Sequence, residues 1–292
     1  MDNVITPEAE QAEKSAATSQ KAFAFVQRLA ADLSQEGDLE LPGFPDVVIK
    51  LQKALGDENG SLKEVSRIIN SEPVLAARLM QLANSAAFRQ STDAVGELRT
   101  AVTMLGLNVV RATATNFAMQ QLQQQEWLAP LRPELAKIWK ASNTVAATAY
   151  TVAKNLEAMP ADKAMLAGLF HQLGYLYLLT TAHREDAEII NDPAWDSIVE
   201  DWHPTISRAI LDSWGLPEDV TYATESQDAV ADGETRGLDR LSLVVSASKY
   251  CANSGTDDEA ELLESVTFSG ASFNEIVTRH RDEIDQMIAA IS

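Results

Sequence analysis

The sequence predicts an all-α fold, and three observations carry that expectation. Apolar residues recur at three- and four-residue spacing through most of the chain, the period of one face of a helix. Only 13 Gly and 10 Pro occur among 292 residues, while Ala, Leu, Gln, Glu and Asp abound, a mixture that favours helix over strand. No alternating apolar and polar run is long enough to suggest a half-buried strand. With 46% apolar residues, the chain can bury a sizeable core as one large domain or two modest ones.

The elements follow in order. Residues 1–20, rich in Ala, Glu and Gln, read as an arm, and 21–35 as a docking helix with Phe23, Val26, Leu29, Ala30 and Leu33 inward. Leu41-Pro42-Gly43-Phe44-Pro45 is extended, because each proline biases its predecessor away from helix. Val47, Val48, Leu51, Ala54 and Leu55 mark the next stripe, ended by Gly56. Ser61 and Glu64 form a capping-box pattern ahead of Val65. Pro73 suits a first helical turn, leading to Leu75, Leu79 and Leu82. Gly106 can end the helix of Leu98, Val102 and Leu105, and Asn108 can cap its successor. That successor runs out into Gln120–Gln125 as a solvated end.

Pro130 and Pro133 mark the expected seam between two helical lobes. Beyond them lie a helix through Ile138 and Tyr150, a neutral helix over 162–180, and a short acidic helix near 184–190. His203-Pro204 reads as a helix start before Ile206 and Ile210, and Gly215-Leu216-Pro217 as a stop and restart. A helix over Leu238–Ala252 and a last one capped by Ser272 and Glu275 complete the chain.

Charge is uneven. Residues 1–180 carry 16 Lys and Arg against 19 Asp and Glu, a balance of −3, whereas 181–292 carry 7 against 24, a balance of −17. A field of that sign repels phosphate backbones, so no nucleic-acid ligand is expected. It serves solubility first and an acidic docking face second. The lone Cys251 leaves no internal disulfide and points to a reducing compartment. No signal peptide is expected at the N-terminus. Ala164–Ala182 holds 19 residues without formal charge, near the length of a membrane span, yet His171, Gln172 and Gly174 interrupt it, and a buried core helix is expected instead. Membrane insertion is not expected.

Chemistry-bearing motifs are few. There is no glycine-rich phosphate loop, no G-x-S-x-G and no Cys-x-x-Cys. The four histidines, His171, His183, His203 and His280, show no i, i+3 or i, i+4 pair such as a helical metal site uses. Ala167-Gly168-Leu169-Phe170-His171-Gln172-Leu173-Gly174 looks like a metal site with its carboxylate replaced by an amide.

Several segments, in this order and spacing, resemble the HDOD family, a branch of the HD superfamily of helical metal phosphohydrolases. They are Leu41-Pro42 with Phe44-Pro45, Glu72-Pro73 with Ala76-Ala77-Arg78-Leu79, Leu82-Ala83-Asn84-Ser85-Ala86, and Ala101-Val102 with Leu105-Gly106-Leu107. Trp139, Phe170-His171, His203-Pro204 and Trp214-Gly215-Leu216-Pro217 continue the likeness to about Ala252. The resemblance implies a two-lobed HD-like domain over 37–236, with lobes about 37–129 and 130–236, an N-terminal arm over 1–36 and C-terminal helices over 237–292.

Catalytic HD relatives hold metal with histidines and aspartates, and this chain keeps few of them. Ala141 stands where a histidine is expected, Gln172 where the aspartate of the His-Asp pair stands, Glu225-Ser226 where two histidines often stand, and Ser248 at the last aspartate. His171, Gln172, His203 and Glu225 are therefore candidates for a remnant pocket, with no catalytic residue, no metal and no cofactor expected. Two imidazoles and one carboxylate fall short of what holds an ion and acidifies its water. Asn84 and Ser85 form a second candidate, as a ligand or packing motif. The resemblance implies a non-catalytic scaffold or regulator in a bacterial cytoplasm, with signalling proteins of two-component or cyclic-di-GMP systems as partners. Lacking a receiver or GGDEF module, it is expected to act in trans. The alternatives are a metal-dependent phosphohydrolase with a rearranged site using His171, His203 and Glu225, and a nucleotide or small-molecule sensor using the ancestral pocket.

Overall fold

The computed structural model describes residues 20–31, 33, 39, 41–57, 61–89, 94–253 and 257–291, of which 257–260 are described as backbone only. The arm expected over 1–20 lies outside them except for its last residue. Helix dominates, as the residue spacing predicts.

Helix α1 (residues 20–31) buries Ala22, Phe25 and Leu29, while Phe23, expected inward, is 64% exposed. It is fastened to the far half of the chain. Phe25 packs on Trp195 with ring centroids 6.4 Å apart, and Lys21 pairs with Asp186 at 2.7 Å. The buried ring supplies the anchor, since exposed ion pairs add little.

Helices α2 (Asp46–Gly56), α3 (Leu62–Asn70), α4 (Pro73–Ala83), α5 (Leu98–Leu105) and α6 (Leu107–Gln124) pack on one another, and α6 also packs on the next two long helices of the chain, residues 132–154 and 161–170. Pro73 opens α4, and Gly106, at φ +80°, ends α5. Ser61 accepts from the Glu64 backbone N–H at 3.2 Å, but among the described residues only this half of the expected capping box forms. Asn108 is not a cap: it lies inside α6 and donates to Asp162 at 2.8 Å. The seam at Pro130 is a 3-10 turn, η1 (Glu126–Leu131), that leads directly into α7 (Arg132–Lys154).

Around α7 gather α8 (Ala161–Phe170), α9 (Leu173–Glu185), α10 (Trp195–Ser213), α11 (Glu218–Glu225) and α12 (Arg240–Asn253). Of these, α8 and α12 touch α7 directly, α10 packs on both α9 and α11, and α11 packs on α12. The expected single helix over 162–180 is broken at His171 and Gln172, because Gln172, at φ −105° and ψ 14°, leaves helical geometry. The acidic helix expected near 184–190 is only a 3-10 turn, η2 (Ile189–Asn191). His203 does not start a helix: it sits inside α10, one residue before Pro204. Proline lacks an N–H, so the Glu200 carbonyl has no helical donor.

Beyond α12 come α13 (Asp257–Ser265), a hairpin of β1 (Thr267–Phe268) and β2 (Ala271–Ser272), then α14 (Phe273–Arg279) and α15 (Arg281–Ile291). The hairpin pairs Thr267 with Ser272 and Phe268 with Ala271. Two-residue strands are too short to show alternation, so the sequence hid them. The Ser272–Glu275 capping box forms in full, as expected. Helix α15 lies along α7, and the Ile291 carbonyl accepts from Asn116 at 2.8 Å.

Three close backbone approaches set the architecture. A Cβ on Gly56 would meet the Trp214 carbonyl at 2.3 Å, one on Gly168 the Ala146 Cα at 2.9 Å, and one on Gly174 the His203 carbonyl at 2.0 Å. The first locks α2 onto the Trp214-Gly215 turn. There the Trp214 ring stacks on Phe44 at 5.9 Å and meets Phe170 edge-on at 5.8 Å. Overpacked backbone must shift, at about 2–3 kcal/mol. Gly174→Ala and Gly56→Ala are therefore expected to lose about that much in urea denaturation, whereas Gly96→Ala, where a Cβ meets nothing within 4 Å, stays within about 0.5 kcal/mol of the parent.

Candidate functional site

The Gly168 and Gly174 contacts bring two histidines to one place. Gly168 seats α8 against α7, and His171 follows at the end of α8. Gly174 lets α9 touch the His203 backbone on α10, and its N–H donates to Ser207 Oγ at 2.8 Å. A cleft of about 1160 Å³ opens between α10, α11, the turn after α11 and α12. Gln172, His203 and Glu225 line it, as does Lys249, which the sequence reading did not single out. His171 lies behind its wall, 1% exposed.

Each side chain has a defined state. His171 Nδ1 lies 2.7 Å from the Gly168 carbonyl, and because a carbonyl only accepts, Nδ1 carries the proton. Burial, reinforced by the Lys249 ammonium, pushes the His171 pKa down to about 3. His203 is pushed down to about 4 by burial and then by Lys249, with Asp228 and the His171 backbone opposing. Both imidazoles are neutral at physiological pH.

Lys249 is itself a largely enclosed cation, its side chain 12% exposed. Its Nζ lies 2.6 Å from Asp228 Oδ1 and 3.0 Å from Gln227 Oε1. Burial lowers its pKa while Asp228 raises it. The Nε2 of His203 lies 3.9 Å from the other Asp228 oxygen. A short charge-assisted contact with a carboxylate offsets much of the desolvation of an ammonium, which an isolated charge could not tolerate.

The remaining candidates divide. Glu225 lines the cleft but is ion-paired to Arg208. Ser248, at the expected last-aspartate position, is fully buried and back-bonded to Val244 O at 2.7 Å. Asn84 and Ser85 lie far along the fold, at the end of α4. Asn84 brackets the Val95 backbone, donating to its carbonyl at 3.0 Å and accepting from its N–H at 2.8 Å, so it fixes a loop. Ser85 lines a separate hollow of about 310 Å³ with Arg78 and Asn116.

A catalytic divalent metal makes a specific demand on its donors. Such a site needs three or more imidazole, thiolate or carboxylate ligands converging on one point. Among the described residues no group of three or more His, Cys, Asp or Glu is placed to hold an ion. A resident ammonium close to both imidazoles opposes a second cation there. The sequence reading missed Lys249 and Asp228, although a lysine directly after the last-aspartate position, in so acidic a half, was a visible signal.

Two outcomes follow from these charges. Lys249→Met raises the pKa of both imidazoles and Asp228→Asn lowers that of His203, as read by NMR titration of the ring protons. Because both folded pKa values lie below the 6.5 of the free side chain, the unfolded chain takes up protons first as pH falls. Stability is full above about pH 6.5 and drops below it, by up to about 1.4 kcal/mol per pH unit for each imidazole. His171→Asn retains a donor for Gly168 but cannot titrate, so urea midpoints at pH 7 and pH 5 should differ less in that variant than in the parent.

Comparison with known proteins adds the lineage. The chain is 26% identical over 212 residues to an uncharacterized protein of Treponema pallidum, covering 66% of this chain and 38% of that one, so it spans under two fifths of that relative's length. It superposes with a TM-score of 0.70 on a candidate metal-dependent phosphohydrolase of Shewanella amazonensis, 23% identical, covering 95% of this chain and 100% of that one. A candidate signal transduction protein of Marinobacter aquaeolei superposes with a TM-score of 0.50 at 18% identity, covering 92% and 66%. Such likenesses establish the shared helical fold. Among the described residues no helix is long and apolar enough to cross a membrane. The HDOD domain family matches residues 41–230, well over half of the sequence, and the chain belongs to the HDOD family.

Proposed function

We propose that this protein is a non-catalytic scaffold or regulator of bacterial signalling, acting in the cytoplasm by binding partner proteins. One observation carries the reading: an ammonium, Lys249, is clamped by Asp228 and Gln227 beside the two remnant histidines. A hydrolytic site needs an electrophilic metal that lowers the pKa of bound water. Lys249 supplies a positive charge without an open coordination position, so it balances Asp228 but activates no water. Membership of the HDOD family and the name of the Marinobacter relative support a signalling context. The field of the acidic half disfavours phosphate-bearing ligands, which counts against a nucleotide sensor.

A second reading has its own support, in the name of the Shewanella relative: metal-dependent phosphoester hydrolysis with His171, His203 and Glu225 as a rearranged site. The two separate by assay. Purified protein with added manganese, iron or zinc is offered bis(p-nitrophenyl) phosphate and cyclic-di-GMP. The scaffold reading expects no hydrolysis above the metal-only control. Turnover that requires metal and disappears in His171→Asn would establish the enzyme instead.

A further inference from the structure

The cleft carries more charge than its floor uses. Its wall includes the carboxylates of Asp196, Glu200, Glu225, Asp228, Asp232 and Glu234, against Arg236 and Lys249. Glu225 is neutralised by Arg208 and Asp228 by Lys249. The other four carboxylates enter no ion pair among the described residues. Four like charges around one concave opening repel one another and focus a negative potential into it.

Two further observations point to a ligand. His203, 8% exposed, lines the cleft with its Nδ1 unpartnered, and the Gln172 Oε1 has no donor either. Buried polar atoms without partners are uncommon and call for an explanation. An amide oxygen can be satisfied only by a donor, and ammonium and guanidinium groups are donors with no acceptor. At the mouth, the Tyr222 ring is 38% exposed and offers a face of the kind on which cations rest. Size argues against a compact metabolite: about 1160 Å³ exceeds the roughly 300–1,000 Å³ of small-molecule sites. An extended segment fits better.

We propose that this cleft is the receptor for a basic segment of a partner protein, which lays lysine or arginine side chains along Glu200, Asp232 and Glu234 and over Tyr222. This deepens the partner-binding reading and rests on it. The acidic balance of the chain's second half then acts locally as well as through solubility. Opposite charge across the interface speeds encounter and selects the partner.

The test uses the full chain and fluorescein-labelled oligoarginine, followed by anisotropy at low and high salt, with oligoglutamate as control peptide and spermine as competitor. One variant removes three cleft charges, E200Q/D232N/E234Q. A second removes three exposed charges elsewhere, E64Q/E126Q/E157Q, and leaves the same net charge. The proposal expects saturable, salt-sensitive binding, weakened on the order of tenfold in the cleft variant, within about twofold of the parent in the other, and poorly competed by spermine. Equal weakening in both variants would reduce the effect to net charge, and absence of binding would remove the site. Displacement by spermine at the affinity of the peptide would overturn the protein-segment assignment. Failure here without metal-dependent hydrolysis removes this inference alone, whereas hydrolysis removes the reading beneath it.

Discussion

An ammonium largely withdrawn from water is costly to hold in a protein, and Lys249 is held by a carboxylate at 2.6 Å and an amide oxygen at 3.0 Å. The desolvation of the ion is offset only while both acceptors stay in place. That pairing governs its surroundings. It fixes the turn after α11 against α12, and its ammonium adds to the burial that keeps His171 and His203 uncharged. Because Asp228 is committed to Lys249, it is less available as a ligand, and Glu225 is likewise committed to Arg208. The chemistry of the pocket follows from which charges are already matched.

Close backbone contacts surround that arrangement. Two glycines in one short motif, Gly168 and Gly174, allow backbone contacts that no side chain would permit. Between them the helix breaks, so that His171 ends α8 and Gln172 faces the cleft. The Trp214 ring, wedged between Phe44 and Phe170, ties the Leu41–Pro45 entry to the end of α10; that entry, expected to be extended, is a turn in which the Phe44 N–H donates to the Leu41 carbonyl at 3.2 Å and Gly43 sits at φ +78°. Fully buried Gln52 donates to the Arg111 carbonyl at 3.2 Å and to Thr115 at 2.9 Å in the same region. Segments that looked like scattered family signatures thus meet at a few junctions, each closed by a glycine or an aromatic ring.

How much of this the sequence disclosed depended on the range of the physics. Features set within one helical turn were legible: Pro73 at the start of α4, Gly106 at the end of α5, the Ser272–Glu275 box. Features set by tertiary contact were not. The break at Gln172 lies two residues before the approach of Gly174 to the His203 carbonyl, and uncharged flanks gave no local reason to expect it. Pro204 looked like a helix start because proline favours first turns, yet α10 runs through it. Phe23 looked inward because periodicity fixes a face but not which neighbour covers it. Of the four positions named for a remnant pocket, Gln172, His203 and Glu225 line one cleft and His171 does not. Lys249 was overlooked because a search for lost ligands does not ask what replaced them.

The identity of the cation at the floor of the cleft decides between a scaffold and a metal enzyme. Crystals of the protein soaked in excess manganese, with anomalous diffraction collected above the manganese edge, address it directly. No anomalous peak is expected near His171 and His203, with Lys249 Nζ still within hydrogen-bond distance of Asp228. A peak bound at ordinary distances by three or more side chains, with the Lys249 ammonium displaced, would contradict the scaffold reading.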